Sequence, residues 1–139
     1  KAIGVVGSGI EPPLEHGEGK VISDIVVDRD LTEALDGLEE FSHIIVLYWM
    51  HQVVPRQVPL KVHPKHRREA PLVGLFATRS PNRPNPVGKT TVRLLQRRDN
   101  ILRVEGLDAV DGTPVIDIKP YISGYDSVTD ARVPPWITK

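Results

Sequence analysis

The stretch KTTVRLLQRRDNILRVEG, residues 89–106, decides the fold class of this chain. Its first half alternates as a β-strand does. One face carries Thr91, Arg93, Leu95 and Arg97, and the other carries Val92, Leu94 and Gln96. The dipeptide Asp99-Asn100 then precedes a second apolar run, which is typical of a two-residue β-turn. The stretch therefore predicts a hairpin of two antiparallel strands.

Working outward, short β-branched or apolar runs predict further strands over residues 2–6, 21–28, 73–78 and 112–122. Residues 43–53 form the longest apolar run and predict a central strand that is buried on both faces. Residues 30–43 predict one short helix or a pair of turns, with Asp30 as its N-cap and Gly37 as an interruption. About seven short strands without βαβ alternation favour an antiparallel barrel or sandwich.

The composition limits the class of protein. A chain of 139 residues suggests one domain, and thirteen prolines and eleven glycines favour short strands joined by Pro-rich loops. The absence of cysteine excludes disulfides and thiolate chemistry and favours an intracellular, cytoplasmic location. No apolar run approaches the roughly 20 residues that span a bilayer, so we expect no membrane association.

Charge is segregated along the chain although the formal net charge is zero. Residues 53–98 contain eleven Lys and Arg and one acidic residue, net +10, whereas residues 1–52 are net −7 and residues 99–139 are net −3. Such a basic block can steer an anionic partner. It can equally pack against the acidic segments of the same chain or of a second subunit, and charge alone leaves both interpretations open.

The sequence gives little support for a metal site, a nucleophilic serine or a nucleotide-binding loop. His63 and His66 lie close in sequence but among cations, which oppose the binding of a divalent metal, so we expect no metal site. There is no G-x-S-x-G motif and no phosphate-binding GxxxxGK[ST] loop. The glycines of GVVGSG lack the dinucleotide-binding order and are not followed by a helical pattern.

Polar residues instead follow the predicted strands. His51 and Gln52 end the central strand, and Arg79 follows the strand predicted over residues 73–78. Asp117 lies between two isoleucines and is interpreted as an ion-pair partner of a nearby Lys or Arg, whereas Asp111-Gly112 forms a turn. Trp49 either packs in the core, which its apolar neighbours favour, or stacks on a base.

Three segments together resemble a known family: LEEFSHIIVLYWMHQ, GLFATRSPNRPNPVGKTTVRLL and LDAVDGTPVIDIKPYI. They are similar to the TsaA-like family, whose bacterial representatives are TrmO-type tRNA methyltransferases. The resemblance extends over most of the chain and implies a single TsaA-like domain, residues 1–139, folded as a small all-β barrel with one short helix. It also implies a homodimer that binds S-adenosyl-L-methionine and methylates N6 of threonylcarbamoyladenosine in tRNA.

The resemblance assigns cofactor-binding residues motif by motif. The N-terminal loop often contains Pro-Arg-Gln in the family, and here it lacks the Arg and the Gln. The implied cofactor-binding residues are Pro13, Leu14, Glu15, His51, Gln52, Arg79, Lys89, Leu107, Asp108, Ala109 and Val110. Arg79 can meet the cofactor carboxylate bidentately.

Methylation of a conjugated nitrogen benefits from a base that takes its proton. The candidate catalytic residues are Asp111, Asp117 and Tyr121. The basic segment 53–98 is then interpreted as the tRNA surface, with phosphates meeting Arg56, Lys61, Lys65, Arg67, Arg68 and Arg83. The alternative is a protein that binds S-adenosyl-L-methionine but does not methylate tRNA.

Overall fold

The structure is a computed structural model, and it describes residues 1–7, 21–50, 57–64 and 69–138. The chain divides into two compact units, one of residues 1–51 and 87–121 and the other of residues 52–86 and 122–139. A single TsaA-like domain over residues 1–139 stays a prediction.

The first unit is a closed barrel of six antiparallel strands, which confirms the predicted all-β barrel. The strands are β1 Gly4–Gly7, β2 Ile22–Val27, β3 His43–Trp49, β6 Val87–Arg98, β7 Ile101–Glu105 and β8 Pro114–Pro120. Around the barrel they follow the order β1-β2-β7-β6-β3-β8. Because β8 pairs with both β3 and β1, this sheet has no unpaired edge.

The core consists of inward side chains of these strands together with Leu35 and Leu107, and its residues are valine, isoleucine and leucine. It contains Val6, Ile25, Val27, Leu35, Ile44, Val46, Val92, Leu94, Leu102, Val104, Leu107 and Val115. β-Branched residues suit a small barrel because they pack densely on a pleated surface. β3 is protected on both faces, since the consecutive residues Ile44, Ile45 and Val46 are all buried, and this confirms the prediction.

The predicted hairpin forms between β6 and β7. Arg98 pairs with Ile101 across the Asp99-Asn100 turn, and Asp99 takes a positive φ of 58°, which aspartate tolerates better than most residues. Asn100 is buried, and its side-chain amide donates a 2.7 Å hydrogen bond to the carbonyl of Val27. The turn is therefore attached to the end of β2 as well as joining its own two strands.

The alternation predicted along β6 is wrong beyond Leu94. The pairing with β7 skips Leu95 between Leu94 and Gln96, as in a β-bulge, so the side chains that follow change faces. Gln96 is exposed rather than aligned with Leu94, and Arg97 lies opposite the fully buried Leu102. A run of alternating letters cannot show a one-residue insertion, because the bulge depends on the partner strand.

The bulge brings Arg97 onto the segment between β2 and β3. Its guanidinium donates 2.9 Å and 3.1 Å hydrogen bonds to the Asp36 carboxylate and the Thr32 carbonyl. The Glu39 carboxylate is 3.6 Å away, and Nε–H donates to the Asp99 carbonyl at 2.9 Å. Arg97 thereby links the end of the β6–β7 hairpin to this segment.

That segment is a pair of 3₁₀ helices, Arg29–Leu35 and Leu38–Glu40. Gly37 interrupts them with a φ of 90°, as predicted. The expected N-cap is wrong, because the first helix begins at Arg29 and the preceding Asp28 makes no side-chain capping bond. Leu35 is buried in the barrel core, so tertiary packing holds this helix without a cap.

The second unit contains a two-stranded sheet of β4 Lys61–Val62 and β5 Val73–Gly74. The chain then forms a 3₁₀ helix Leu75–Ala77, and further along an α-helix α1 Ser123–Asp126 and a 3₁₀ helix Pro135–Thr138. The strand predicted over residues 73–78 is correct only for its first two residues. Thr78 ends the helix, because both its amide and its hydroxyl donate to the carbonyl of Leu75.

Replacing Arg97 by alanine should lower the free energy of unfolding by about 1–2 kcal/mol. This is less than a fully buried charged network would give, because Asp36 and Glu39 are more than half exposed. Arg98→Ala is the matched control, since Arg98 is exposed and should change stability by less than about 0.5 kcal/mol. Urea unfolding measures both, and equal effects would contradict the structural role of the bulge.

Candidate functional site

One end of the barrel collects most of the predicted cofactor residues that the structure describes. β3 ends there at Trp49, opposite Val87 at the start of β6, and Tyr48 lies opposite Val115 near the start of β8. We call this end the rim. The connection between β7 and β8, residues 106–113, also lies at the rim because β7 ends and β8 begins on this side.

The predicted cofactor segment, residues 107–110, alternates between the core and the surface. Leu107 is fully buried and Ala109 packs against the core, whereas Asp108 and Val110 are exposed. The carbonyl of Val110 accepts a 2.6 Å hydrogen bond from the Thr113 hydroxyl and a 3.1 Å bond from its amide. The segment is thus fixed at both ends and presents a carboxylate beside an apolar side chain.

Asp111-Gly112 forms the turn that leads into β8, as predicted. Gly112 has a φ of 87°, a conformation that favours glycine. The Gly112 amide donates a 2.7 Å hydrogen bond to the carbonyl of Val6, and the amide of Val6 donates to the backbone carbonyl of Thr113. Asp111 is exposed and directly follows the cofactor segment.

The inner wall of the rim contains a contact that sequence reasoning missed. The Tyr48 ring covers Gly88, its strand partner, so closely that an added Cβ would lie 2.5 Å from Cε2 and 2.6 Å from Cζ. The Tyr48 hydroxyl is 3.0 Å from the Thr90 hydroxyl. The sequence gives no signal for this contact, because the pairing of β3 with β6 must be known before Gly88 can be placed under the Tyr48 ring. Trp49 is half-buried.

The outer wall of the rim carries Lys89 and Asp117. Lys89 lies opposite Leu47, and Leu47 lies opposite Asp117, so the three residues form one row across β6, β3 and β8. Asp117 makes a 3.0 Å ion pair with Lys119 and accepts a 2.8 Å hydrogen bond from the Ile118 amide. The ion pair predicted for Asp117 is therefore confirmed.

Tyr121 lies at the opposite end of the barrel. Its amide donates a 3.1 Å hydrogen bond to the carbonyl of His43 at the start of β3. The rings of Tyr121 and His43 also pack edge to face, with their centroids 6.4 Å apart. β3 has seven residues, which separates its two ends by roughly 20 Å. The structure does not bring the three predicted catalytic residues together: Asp111 is in the loop before β8, Asp117 is on the outer wall of the rim, and Tyr121 is at the far end.

Arg79 belongs to the second unit and is exposed. It follows a 3₁₀ helix rather than the predicted strand. The loop around it is built from side chain to backbone hydrogen bonds, in which Ser80 N–H donates to the Thr78 hydroxyl and Asn82 N–H donates to the Ser80 hydroxyl. Arg79 is therefore presented by a short, internally bonded loop.

Other predicted residues lie outside the described part of the chain. They are Pro13, Leu14, Glu15, His51 and Gln52 of the cofactor set, and Arg56, Lys65, Arg67 and Arg68 of the basic segment. His66 is also outside it, whereas the His63 ring nitrogen Nδ1 lies 2.9 Å from the carbonyl of Ala70. Within residues 1–7, 21–50, 57–64 and 69–138, no three His, Asp or Glu side chains group as a metal site would need.

In that same part of the chain no helix combines the length and the apolar character required to cross a bilayer. The shifted pKa of Arg103 does not mark a functional site either. The pKa of Arg103 is raised by its hydrogen bond to Asp24 and by the charge of that carboxylate, but this pair lies on the outside of β7 and β2. Arginine stays protonated in any case, so the raised pKa of Arg103 does not indicate a catalytic acid or base.

Comparison with known proteins places this architecture in a family. Residues 11–127 match the profile of the tRNA-methyltransferase O N-terminal domain. The chain belongs to this family. The match covers all three segments that carry the resemblance and extends from the N-terminal loop to α1, so it confirms the resemblance identified in the sequence.

Relatives of the family differ in length and in name. The chain is 53% identical over 132 residues to a "Probable S-adenosyl-L-methionine-binding protein" of Methanothermobacter thermautotrophicus, covering 92% of this chain and 93% of the relative. It is 45% identical over 100 residues to the tRNA (adenine(37)-N6)-methyltransferase of Mus musculus, covering 72% of this chain and 23% of the relative. It spans 32% of an Archaeoglobus fulgidus relative that is 47% identical over 121 residues.

Solved structures of TrmO share the fold. A crystal structure of TrmO from Pseudomonas aeruginosa matches with a TM-score of 0.71 and 30% identity, over 97% of this chain and 59% of that chain. A second structure of TrmO from the same organism matches with a TM-score of 0.69 and 32% identity. The chain thus spans about three fifths of the TrmO chains that it matches.

Replacing Gly88 by alanine should destabilise the barrel by about 1–3 kcal/mol, since the new methyl group would displace the Tyr48 ring. Gly74→Ala is the matched control, because Gly74 also lies in a strand but has nothing within 4 Å of an added Cβ. Thermal and urea unfolding measure the difference. A Gly88→Ala protein as stable as the Gly74→Ala protein would show that the contact is not tight.

Proposed function

We propose that this chain binds S-adenosyl-L-methionine and methylates N6 of an adenosine in tRNA, specifically threonylcarbamoyladenosine. The observation that carries the proposal is the family match over residues 11–127. Relatives named as S-adenosyl-L-methionine-binding proteins support the cofactor, and the mouse relative named as a tRNA (adenine(37)-N6)-methyltransferase supports the acceptor.

The rim offers groups that fit the cofactor. Asp108 is an exposed carboxylate that can accept hydrogen bonds from a ribose hydroxyl or an amino group, and Val110 beside it is 49% exposed and can pack on an adenine. Leu107 anchors the segment in the core, so these groups are held without a ligand. Lys89 is exposed on β6 at the same end of the barrel.

Arg79 is proposed to bind the carboxylate of the cofactor. The cofactor carries an amino-acid carboxylate, and a guanidinium can bind such a group through two parallel hydrogen bonds. The exposed position of Arg79 leaves its guanidinium accessible to a ligand. Pro13, Leu14, Glu15, His51 and Gln52 complete the proposed cofactor set on the strength of the resemblance.

When bound, the cofactor supplies a methyl group on a sulfonium: its S–C bond breaks, an N–C bond to N6 forms, and sulfur keeps the electron pair. The chain then has to position the acceptor nitrogen and remove its proton. Asp111 is the candidate that the geometry favours, because it lies at the rim directly after the cofactor segment. Asp117 lies on the outer face of the barrel, and Tyr121 is at the other end.

The basic segment 53–98 is proposed as the tRNA surface. Of its described cations, Lys61, Arg79, Lys89, Arg93 and Arg98 are exposed. Cations of this kind bind phosphates and release counter-ions, which makes RNA binding weaken with added salt. A homodimer and a cytoplasmic location, which the resemblance and the composition favour, belong to this proposal as well.

A second candidate is a protein that binds the cofactor without methylating tRNA. It is favoured by the 53% identical relative, whose name states cofactor binding only and which the chain covers almost completely. Methyl transfer itself therefore decides between the two candidates.

The deciding experiment incubates the protein with methyl-labelled S-adenosyl-L-methionine and tRNA that carries or lacks threonylcarbamoyladenosine. We expect label in the modified adenosine after digestion to nucleosides, and none with the tRNA that lacks the modification. Label in unmodified adenosine would retain the methyltransferase and correct its substrate. Tight cofactor binding without transfer to either tRNA would support the second candidate.

Replacing Arg79 by alanine should weaken cofactor binding by roughly 10- to 100-fold, the loss expected for one charge-assisted pair. Arg79→Lys should recover part of the affinity, since it keeps the charge but not the two-pronged geometry. Isothermal calorimetry measures both, with Arg98→Ala as an exposed arginine control. An unchanged affinity in Arg79→Ala would exclude the carboxylate contact.

A further inference from the structure

The loop that follows β5 exposes a phenylalanine that the function proposed above does not use. Phe76 is 77% exposed although it directly follows the buried Leu75 in a short 3₁₀ helix. An aromatic side chain of this size is usually largely buried, so a ring left open on a fixed turn is accessible to a partner.

The ring is backed by a cation. The guanidinium carbon of Arg83 lies over the Phe76 ring, 5.6 Å from its centroid, which is within the range of a cation–π contact. Arg83 uses Nη1 to donate hydrogen bonds of 2.7 Å and 3.0 Å to the carbonyls of Thr78 and Ser80. The loop therefore holds Arg83 through Nη1, and the phosphate contact expected for Arg83 stays a prediction.

The loop that carries Phe76 and Arg83 is held in place by its own residues, without a bound partner. Pro81, Pro84 and Pro86 restrict the backbone of the loop, and the amide of Arg83 donates to the carbonyl of Pro81 at 2.8 Å. Leu75 is buried beneath the turn that carries Phe76. A ring and a guanidinium held in this way lose little conformational entropy when a flat ligand binds.

Charge selects the kind of partner. Residues 70–86, which belong to the same unit as Phe76, contain Arg79 and Arg83 and no acidic residue, and Arg79 is exposed three positions from Phe76. Two copies of this chain would bring like charges together if they met through this face, which is unfavourable. An anionic partner that also presents flat, unpaired rings is a single-stranded RNA segment.

We propose that Phe76, backed by Arg83, is a stacking platform for one unpaired nucleobase of the RNA substrate. The proposal rests on the proposed function for the identity of the RNA and adds how an unpaired base is held. Arg79 is assigned to the cofactor carboxylate, so one stiff loop contacts both the cofactor and the RNA. Stacking tolerates any base, since every base has a π face, so the platform selects unpaired over paired RNA and not a sequence.

The test measures binding of two RNA probes at one fixed salt concentration, a short hairpin with an unpaired loop and a fully paired duplex of similar length. Phe76→Ala should weaken hairpin binding by roughly 10- to 100-fold, the range measured when a stacked base loses its aromatic partner. Its affinity for the duplex and for S-adenosyl-L-methionine should stay within about twofold of wild type, because those contacts depend on charge and on other residues. Phe76→Trp should retain hairpin binding.

Leu60→Ala is the matched control, because Leu60 is an exposed apolar residue of the same unit, at 83%, and should leave hairpin binding unchanged. Unchanged hairpin affinity in Phe76→Ala, or an equal loss for both RNAs, overturns the platform. A lower molar mass of Phe76→Ala by light scattering also overturns it, because Phe76 would then hold two copies together. A wild-type protein that methylates tRNA alongside an unaffected Phe76→Ala leaves the proposed function standing and removes only the platform. A wild type that neither binds the hairpin nor methylates tRNA removes both.

Discussion

The pairing of β8 with β3 on one side and with β1 on the other is the constraint on which the rest of the barrel depends. It closes six short strands into a sheet without an edge, so strands as short as four residues have partners on both sides. Closure also encloses a core of small β-branched side chains. Without it, the connection between β7 and β8 would have no buried seat for Leu107 and could not present Asp108 and Val110 at a fixed place.

The two ends of the barrel serve different purposes. At the far end, Arg97 is carried by the β6 bulge onto the 3₁₀ helices and stabilises the join between the hairpin and the segment before β3. At the rim, short loops leave polar groups exposed over a packed base, and Tyr48 seated on Gly88 forms the inner wall. This division agrees with a general rule: rigid strands position a site, and the loops at one end supply its chemistry.

The Pro-rich loop of the second unit combines stiffness with charge. Its own side chains satisfy its backbone groups, through Thr78, Ser80 and Arg83, so the loop is ordered without a long strand or helix. Arg79 and Phe76 take no part in these hydrogen bonds and are exposed, so both side chains are accessible to ligands. A cation for a small carboxylate and a ring for a flat base are the groups that a cofactor-dependent RNA enzyme needs.

The sequence by itself determined the class of the fold, the β6–β7 hairpin and the doubly buried β3, because alternation, turn residues and a long apolar run act over short distances. Its motif blocks were also enough to identify the family and to name a cofactor segment. Only the tertiary structure decided that Leu95 is skipped, that Gly88 seats Tyr48, that Arg83 backs Phe76, and that Asp111 and Tyr121 lie at opposite ends. Each of these depends on which strand or loop lies opposite, and the register between segments distant in sequence is fixed by packing rather than by local pattern.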